Sequence, residues 1–152
     1  MPVRVLMVCL GNICRSPLAE GILASKTNSH DIFVDSAGTA GYHVGNPPDP
    51  RSVEVAASKG IDISGQRCRR FSQADFDEFD YIFAMDRENL NHLKELARSE
   101  ADLAKVSLLL EAANMPEEEV PDPYYGGDDG FIHVFRMIDR ATDRLLESLL
   151  NR

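Results

Sequence analysis

The sequence predicts an α/β fold in which a parallel sheet is covered by helices on both faces. Residues 3–8 form a nearly continuous apolar run rich in β-branched residues, which is typical of a strand buried on both faces. Strand patterns then alternate with helical patterns along the chain, as a parallel sheet requires. With 152 residues, of which 43% are hydrophobic, the chain has the size of one compact domain, so residues 1–152 are predicted to form a single domain.

The next elements are a helix, a second strand and a long loop. Ser16 is a favoured N-cap residue and Pro17 suits the first helical position, so a helix is predicted to begin at these residues. Residues 32–35 are predicted to form the second strand. Residues 36–50 are rich in Gly and Pro and are predicted to form a long loop, of the kind that often carries function.

The remaining elements complete a sheet of four strands. Apolar runs predict two further strands, at residues 81–85 and 105–109. Helical periodicity predicts three further helices, at residues 51–59, 87–97 and about 131–150. Ligands of such sheets bind beyond the carboxyl ends of the strands, so functional residues are expected in the loops that follow them.

The loop after the first strand contains the residues that point to a chemical activity. Cys9 and Arg15 lie six residues apart in the segment VCLGNICRSP, between the predicted strand and the predicted helix. A tight loop at this place can direct its backbone N–H groups at one tetrahedral oxyanion. The helix N-terminus and these N–H groups favour the thiolate form of Cys9. The planar guanidinium of Arg15 can grip two oxygens of a phosphoryl group, so the sequence predicts a phosphate-binding loop with a nucleophilic thiolate.

Three other residues of the loop fit this interpretation. Gly11 and Asn12 are residue types that tolerate the positive φ that a narrow loop needs. Ser16 can donate its hydroxyl proton to the thiolate.

A thiolate that attacks phosphorus also needs an acid that protonates the leaving group. Asp122 is the candidate, because it lies between two prolines that stiffen the backbone. The nearby Tyr124 and Tyr125 can form the walls of a slot for a flat aromatic group. The sequence therefore predicts that this late segment meets the first loop.

Composition and charge argue against several other classes of function. The formal net charge is −9 and the pI is near 4.8, so the surface as a whole repels nucleic acids and anionic lipids. No apolar run approaches the roughly 20 residues of a membrane span, and residues 1–8 are too short for a secretory signal, so a cytoplasmic protein without membrane or nucleic-acid partners is expected. The three cysteines favour a reducing compartment. The four histidines lack the spacing of metal ligands, so neither a metal nor a cofactor is expected.

Four segments together resemble the low-molecular-weight protein-tyrosine phosphatase family, and the resemblance spans nearly the whole chain. They are VCLGNICRSP, SAGT at residues 36–39, GNPPDPR at residues 45–51 and DPYYGG at residues 122–127. The resemblance implies a flavodoxin-like three-layer α/β/α fold with a four-stranded parallel sheet and a phosphate-binding loop between strand 1 and helix 1. It also implies metal-independent hydrolysis of phosphotyrosine in proteins, and of aryl phosphates, through a cysteinyl-phosphate intermediate.

The same resemblance implies roles for individual residues. Cys9 would be the nucleophile, Arg15 the phosphate clamp, and Asp122 the acid of the first step and the base of the second. Asn12 would hold the loop in shape, and Ser16 would assist Cys9 as leaving group. The residues implied to bind phosphate are Leu10, Gly11, Asn12, Ile13, Cys14, Arg15 and Ser16. The residues implied to line the substrate pocket are Leu10, Tyr42 and Tyr124.

The resemblance also implies a redox role and a set of partners. Cys14 would form a reversible disulfide with Cys9 that protects it from over-oxidation, and a thiolate near a second thiol is chemically suited to this. Tyrosine-phosphorylated proteins would be the substrates, and inorganic phosphate or vanadate would be inhibitors.

Two features near the middle of the chain need a separate interpretation. Many relatives carry a histidine that supports the phosphate loop near the position of Gln66, which cannot titrate, so the tuning of the loop is expected to differ. Arg67, Arg69 and Arg70 form a basic cluster on an acidic chain, which is either a solvated face or a surface that steers acidic substrates.

Two other functions remain open at this point. A thioredoxin-coupled arsenate reductase on the same fold also uses a thiolate in this type of loop, but it relays the oxidation through a closely spaced pair of further cysteines, and only Cys68 is available here. A phosphate-binding module without turnover is the second alternative. Loss of turnover would be expected to show as a missing Cys, Arg or Asp, whereas Cys9, Arg15 and Asp122 are all present.

Overall fold

Four parallel strands form the central sheet, in a computed structural model that describes residues 1–124 and 126–151. The strands are β1 (Val3–Cys9), β2 (Ile32–Gly38), β3 (Tyr81–Ala84) and β4 (Val106–Leu108). Their spatial order is β2-β1-β3-β4, so β1 is hydrogen-bonded on both sides. The predicted four-stranded parallel sheet is confirmed.

Helices cover both faces of this sheet. They are α1 (Arg15–Ser25), α2 (Pro50–Ala57), α3 (Ala74–Glu78), α4 (Arg87–Leu96), α5 (Glu100–Leu103), α6 (Leu109–Ala112) and α7 (Asp128–Leu150). One core cluster packs β1 against α1, α2, α6 and α7, and a second cluster packs it against α3 and α4. The molecule therefore has the expected three layers.

Alternate residues of β1 enter the two cores. Val5 and Met7 belong to the first cluster, whereas Leu6 and Val8 belong to the second, and all four are fully buried. This explains why the strand is apolar at every position rather than at every second one. It also places the end of β1, and the loop that follows it, in the middle of the carboxyl edge of the sheet.

The start of α1 differs from the sequence prediction. Ser16 is not the N-cap residue and Pro17 is not the first helical residue, because Cys14 is the N-cap residue and the helix begins at Arg15. The Ser16 hydroxyl lies 3.0 Å from Cys9 Sγ, so it is not used as a cap. A hydroxyl suited to capping thus contacts instead the sulfur that lies 7 residues earlier in the chain.

The loop between β2 and α2 is shorter than predicted. β2 ends at Gly38 rather than Asp35, because Ser36 and the two residues after it continue the parallel pairing with β1. At the other end, Asp49 is the N-cap residue of α2, and its carboxylate accepts from the backbone N–H of Arg51 at 2.8 Å. Pro50, predicted to lie in the loop, is therefore the first residue of the helix, a position that suits it.

Three short helices were not predicted, because they have fewer residues than periodicity needs. They are α3, α5 and α6, and Leu109 begins α6 although the sequence predicted it to end a strand. Such short helices depend on packing rather than on local propensity. In α3, for example, the fully buried Phe76 anchors the helix to the second core cluster. Among the residues that the structure describes, no helix is long and apolar enough to cross a membrane.

Candidate active site

A cavity of about 190 Å³ opens at the carboxyl end of β1. Its lining residues are Cys9, Leu10, Gly11, Ile13, Cys14, Arg15, Tyr42, His43, Asp122 and Tyr124. The structure therefore brings the predicted nucleophile, clamp and acid together with the three predicted pocket residues. Asn12 and Ser16 do not line the cavity but are buried, with 2% and 0% of their surfaces exposed.

The sulfur of Cys9 lies in a chain of buried hydrogen bonds. Cys9 Sγ is 3.0 Å from Ser16 Oγ, which accepts from Asn12 Nδ2 at 2.8 Å. Because the amide already occupies an acceptor site of the hydroxyl, the hydroxyl proton of Ser16 is available to the sulfur. The carbonyl of Ala37, at 3.4 Å, is the more distant alternative. This arrangement suits a serine that donates to a Cys9 thiolate.

Asn12 shapes the loop through its backbone and its side chain. It adopts a φ of 57°, as predicted, whereas Gly11 does not adopt positive φ. A Cβ at Gly11 would lie 3.1 Å from His43 Cδ2, so a larger residue there would require the imidazole to shift by a few tenths of an ångström. Asn12 Oδ1 accepts from the backbone N–H of Arg69 at 2.9 Å, and the Asn12 carbonyl accepts from Cys68 Sγ at 2.7 Å.

Gly38 allows the loop to approach the end of β2. A Cβ on this glycine would lie 2.8 Å from the Leu10 carbonyl and 3.1 Å from the Asn12 N–H nitrogen, so no side chain fits there. The close approach also allows the Thr39 N–H to donate to the Cys9 carbonyl at 2.9 Å. The SAGT segment thus supports the loop from the side.

Arg15 is held in place by two groups that leave part of its guanidinium facing the cavity. Its side chain is 3% exposed, and Nη1 donates to Asp86 Oδ2 at 2.6 Å and to the Val120 carbonyl at 2.9 Å. Burial alone would lower the pKa of Arg15, but the charges of Cys9 and Asp86 outweigh it and hold the pKa above its usual value. The Arg15 guanidinium is therefore charged and oriented before any ligand arrives.

Asp122 faces Arg15 across the cavity. Its Oδ2 lies 3.7 Å from Arg15 Nη2, and its Oδ1 accepts from the backbone N–H of Tyr124 at 3.0 Å. The carboxyl is 40% exposed, so its second oxygen can reach a group bound in the cavity. Tyr42 and Tyr124 stand at the mouth, 76% and 38% exposed, and Tyr125 lies outside the described residues.

Comparison with known proteins agrees with this geometry. A family model described as low molecular weight phosphotyrosine protein phosphatase matches residues 4–152. The chain belongs to this family. A phosphatase of this name from Schizosaccharomyces pombe is 40% identical, with 97% of each chain covered. The Bacillus subtilis protein-tyrosine-phosphatase YfkJ is also 40% identical, over 97% of this chain and 96% of its own.

Solved structures of relatives have the same fold. A protein tyrosine phosphatase from Entamoeba histolytica, with Hepes in its active site, superimposes with a TM-score of 0.91 at 37% identity and covers 98% of this chain and 97% of its own. A Drosophila arginine phosphatase superimposes with a TM-score of 0.86 at 37% identity, over 95% and 96% of the two chains. These matches to phosphatases do not favour the arsenate reductase alternative.

The thiols of this family member also argue against a reductase relay. Cys9, Cys14 and Cys68 are all free and buried. Burial raises the pKa of the Cys14 thiol strongly, and the charge of Asp49 adds to the rise. Burial likewise raises the pKa of Cys68 to about 11, so this thiol is neutral at physiological pH and a poor nucleophile. The disulfide between Cys9 and Cys14 stays a prediction.

The side-chain amide of Gln66 is bonded to α1. Its Nε2 donates to the Pro17 carbonyl at 3.1 Å, and its Oε1 is buried without a partner among the described residues. The backbone of Arg69 and the thiol of Cys68 support the loop instead. The expected difference in loop tuning stays a prediction, but these contacts indicate which groups would bring it about.

The basic cluster separates into members with different surroundings. Arg69 is paired with two carboxylates, including Asp75 at 3.1 Å, and Arg67 donates to two backbone carbonyls. Arg70 is exposed, and its side chain lies beside Gly41, because a Cβ at Gly41 would be 3.5 Å from Arg70 Cδ. The next residue, Tyr42, lines the cavity. Carbonyls do not neutralise the charge of Arg67, so the predicted steering of acidic substrates would depend on Arg67 and Arg70, and it stays a prediction.

Several residues that position this site were not predicted from the sequence. Asp86 was not identified, although it directly follows β3, whose carboxyl end adjoins that of β1. It is the N-cap residue of α4 and also the partner of Arg15, so one carboxylate serves both the helix and the clamp. The rule that ligands bind beyond strand ends would have pointed to it.

Glu20 is joined to the same hydrogen-bond network. Its Oε1 accepts from Ser36 Oγ at 2.6 Å, and Ser36 Oγ in turn accepts from Asn12 Nδ2 at 3.0 Å. Burial raises the pKa of Glu20 to about 7, against the effect of the Ser36 hydrogen bond. The carboxyl is therefore neutral in the folded protein at mildly acidic pH.

This raised pKa predicts how stability changes with pH. The folded protein keeps the Glu20 proton up to about pH 7, whereas the unfolded chain loses it near pH 4.5, so the free energy of unfolding falls as pH rises between these values. We expect Glu20→Gln to remove on the order of 2 kcal/mol of this pH dependence, after allowance for solvent screening. Urea unfolding at pH 5 and at pH 7.5 measures it. Glu54→Gln, at an exposed glutamate of α2, is the matched control, and identical pH dependences in Glu20→Gln and the unmodified protein would contradict the prediction.

Proposed function

We propose that this chain hydrolyses phosphotyrosine in proteins, and aryl phosphates in general, through a cysteinyl-phosphate intermediate and without a metal ion. The observation that supports this most is the convergence of Cys9, Arg15 and Asp122 on one cavity. The carboxyl of Asp122 and the guanidinium of Arg15 are 3.7 Å apart, so both can reach the same phosphoryl group. The family match over residues 4–152 supports a single phosphatase domain.

In the first step, Cys9 Sγ attacks phosphorus. An S–P bond forms while the bond from phosphorus to the tyrosine oxygen breaks, and Asp122 gives its proton to that oxygen. Arg15 stabilises the charge on the equatorial phosphoryl oxygens throughout, because its fork is already oriented by Asp86. The products are the free phenol and a phosphorylated Cys9.

In the second step, the roles of two residues reverse. Asp122, now a carboxylate, takes a proton from a water molecule whose oxygen attacks phosphorus. The S–P bond breaks, and Ser16 Oγ, 3.0 Å from the sulfur, donates to the thiolate that leaves. Inorganic phosphate is released, and the same contacts support the proposal that phosphate and vanadate inhibit the enzyme.

The residues at the mouth of the cavity suit an aromatic phosphate ester that is carried on a protein. Tyr42 and Tyr124 present exposed rings there, and aromatic faces favour a flat phenyl ring between them. Tyrosine-phosphorylated proteins are therefore the proposed partners. The three free thiols support a cytoplasmic location.

The test is turnover in the presence of a chelator. The protein is incubated with EDTA and either a phosphotyrosine peptide or a phosphoarginine peptide, and released phosphate is measured. We expect faster release from the phosphotyrosine peptide, undiminished by EDTA, and a covalent phosphate on Cys9 after acid quenching. Release that stops on addition of EDTA, or a phosphate found on another residue, would overturn the proposed mechanism, and faster release from phosphoarginine would replace the proposed substrate.

A further inference from the structure

Arg51 binds the segment that carries the proposed acid. Its Nη2 donates to the Tyr124 carbonyl at 3.0 Å, and its Nη1 donates to the Gly126 carbonyl at 3.3 Å. These two carbonyls lie shortly after Asp122 in the chain. A planar guanidinium suits this task, since it offers several donors in one rigid fork.

Asp122, Pro123, Tyr124 and Gly126 are also joined by hydrogen bonds of their own. Asp122 Oδ1 accepts from the Tyr124 N–H at 3.0 Å, and the Pro123 carbonyl accepts from the Gly126 N–H at 2.9 Å. These bonds occupy one oxygen of the acid. Arg51 binds two further carbonyls that follow it, those of Tyr124 and Gly126.

Arg51 is oriented in turn by the N-cap residue of α2 and by two aromatic rings. Its Nε and Nη2 each lie 3.1 Å from an oxygen of Asp49, which makes a two-pronged ion pair. Its guanidinium carbon lies 4.5 Å from the ring centre of the buried Phe131 and 5.5 Å from that of Tyr124. The fork is therefore held in one plane before it meets the segment of the acid.

The same end of α2 is bonded to the phosphate loop. The Asp49 N–H donates to the Ile13 carbonyl at 2.8 Å, and Ser52 Oγ donates to the Cys14 carbonyl at 3.3 Å. A continuous path of bonds therefore runs from the loop of the nucleophile, through Asp49 and Arg51, to the segment of the acid. The first and last bonds of this path join segments that are distant in sequence, and the step between them is the ion pair of Asp49 with Arg51.

We propose that Arg51 is a positioning residue that holds Asp122 at the correct distance from Cys9 and the leaving-group oxygen. This inference rests on the proposed function, in which Asp122 protonates that oxygen. Proton transfer needs the acid within hydrogen-bond reach, and small displacements reduce its rate steeply. The segment GNPPDPR thereby gains a role: it supplies Asp49 and Arg51, which couple the two halves of the site.

The experiment compares leaving groups in the full-length protein. Arg51→Met keeps the apolar stem beside Phe131 but removes the donors, and Asp122→Ala removes the acid itself. The kcat/KM is measured for phenyl phosphate, whose leaving group needs a proton, and for 2,4-dinitrophenyl phosphate, whose leaving group does not. Arg136→Met, at an exposed arginine of α7 outside the cavity, is the matched control.

We expect Arg51→Met to lower kcat/KM for phenyl phosphate about 10- to 100-fold, part of the loss in Asp122→Ala, and to leave 2,4-dinitrophenyl phosphate within about threefold. The double variant should be no slower than Asp122→Ala alone, because Arg51 acts through Asp122. Equal losses for the two esters, or additive losses in the double variant, would overturn the proposal for Arg51. If Arg51→Met does not fold, Arg51→Lys decides by the same ratio of esters. An Asp122→Ala variant without leaving-group dependence would instead overturn the acid role in the proposed function.

Discussion

Cys9→Ser is expected to lose at least about 10⁴-fold of its activity toward p-nitrophenyl phosphate while it still binds phosphate esters. A serine hydroxyl is not ionised at neutral pH, so the attacking anion is absent. Any ester that formed would also have to expel an alkoxide, a far poorer leaving group than a thiolate. The Ser16 hydroxyl, 3.0 Å from the sulfur in the unmodified protein, cannot compensate for either loss.

Two measurements check this prediction. Initial rates at mildly acidic pH give the loss of turnover, and calorimetric titration with a phosphotyrosine peptide gives the affinity that remains. Position 9 is buried and an oxygen atom is smaller than a sulfur atom, so the substitution leaves a small space in the core. A thermal melt therefore checks that the variant is folded. Residual turnover within about a hundredfold of the unmodified protein would remove Cys9 as the nucleophile. A variant with retained affinity would also trap tyrosine-phosphorylated proteins and identify substrates.

Arg15→Lys is expected to lower kcat by about 10³-fold, although the charge is conserved. The guanidinium donates to Asp86 and to the Val120 carbonyl and still presents a further nitrogen to the cavity. One ammonium group on a flexible stem cannot meet Asp86, this carbonyl and two phosphoryl oxygens at once. The variant therefore lacks the two-pronged contact with the phosphoryl oxygens, on which negative charge develops in the transition state.

The matched control for this variant is Arg98→Lys. Arg98 also binds two carboxylates, Asp77 and Asp102, but it lies outside the lining of the cavity. We expect Arg98→Lys to keep the full kcat of the unmodified protein, whereas Arg15→Lys loses most of it. A thermal melt should show that the Arg15→Lys variant remains folded. An Arg15→Lys variant with more than about a tenth of the normal kcat would show that a point charge suffices and would contradict the clamp.

Prediction from the sequence succeeded where the signal is local. The strand predicted over residues 3–8, the tight loop after it and a helix close behind that loop follow from one apolar run and the residues directly after it, although the strand ends at Cys9 and the helix begins at Arg15. The left-handed conformation of Asn12 follows from its residue type. Prediction failed for Ser16, because capping and pairing with Cys9 use the same hydroxyl and only the position of the sulfur decides between them.

Local sequence signals did not predict the short helices or the contacts with distant segments. The helix α6 begins at Leu109, where an apolar run looked like the end of a strand. Gly38 was assigned to a loop, yet it ends β2 and leaves the space into which the phosphate loop fits. Neither outcome can be read from neighbouring residues, because both depend on which backbone approaches from elsewhere.

The alternation of four strands with the longer helices, the family, and the candidates for nucleophile, clamp and acid were evident in the amino-acid sequence, since each depends on residue types at short spacing. Only the tertiary structure assigned Asp86 to Arg15, 71 residues earlier in the chain, and Arg51 to the segment that carries Asp122. The physical reason is that hydrogen bonds and ion pairs act over about 3 Å. Groups that are distant in sequence meet at that range only after the sheet has brought the carboxyl ends of its strands to a common edge.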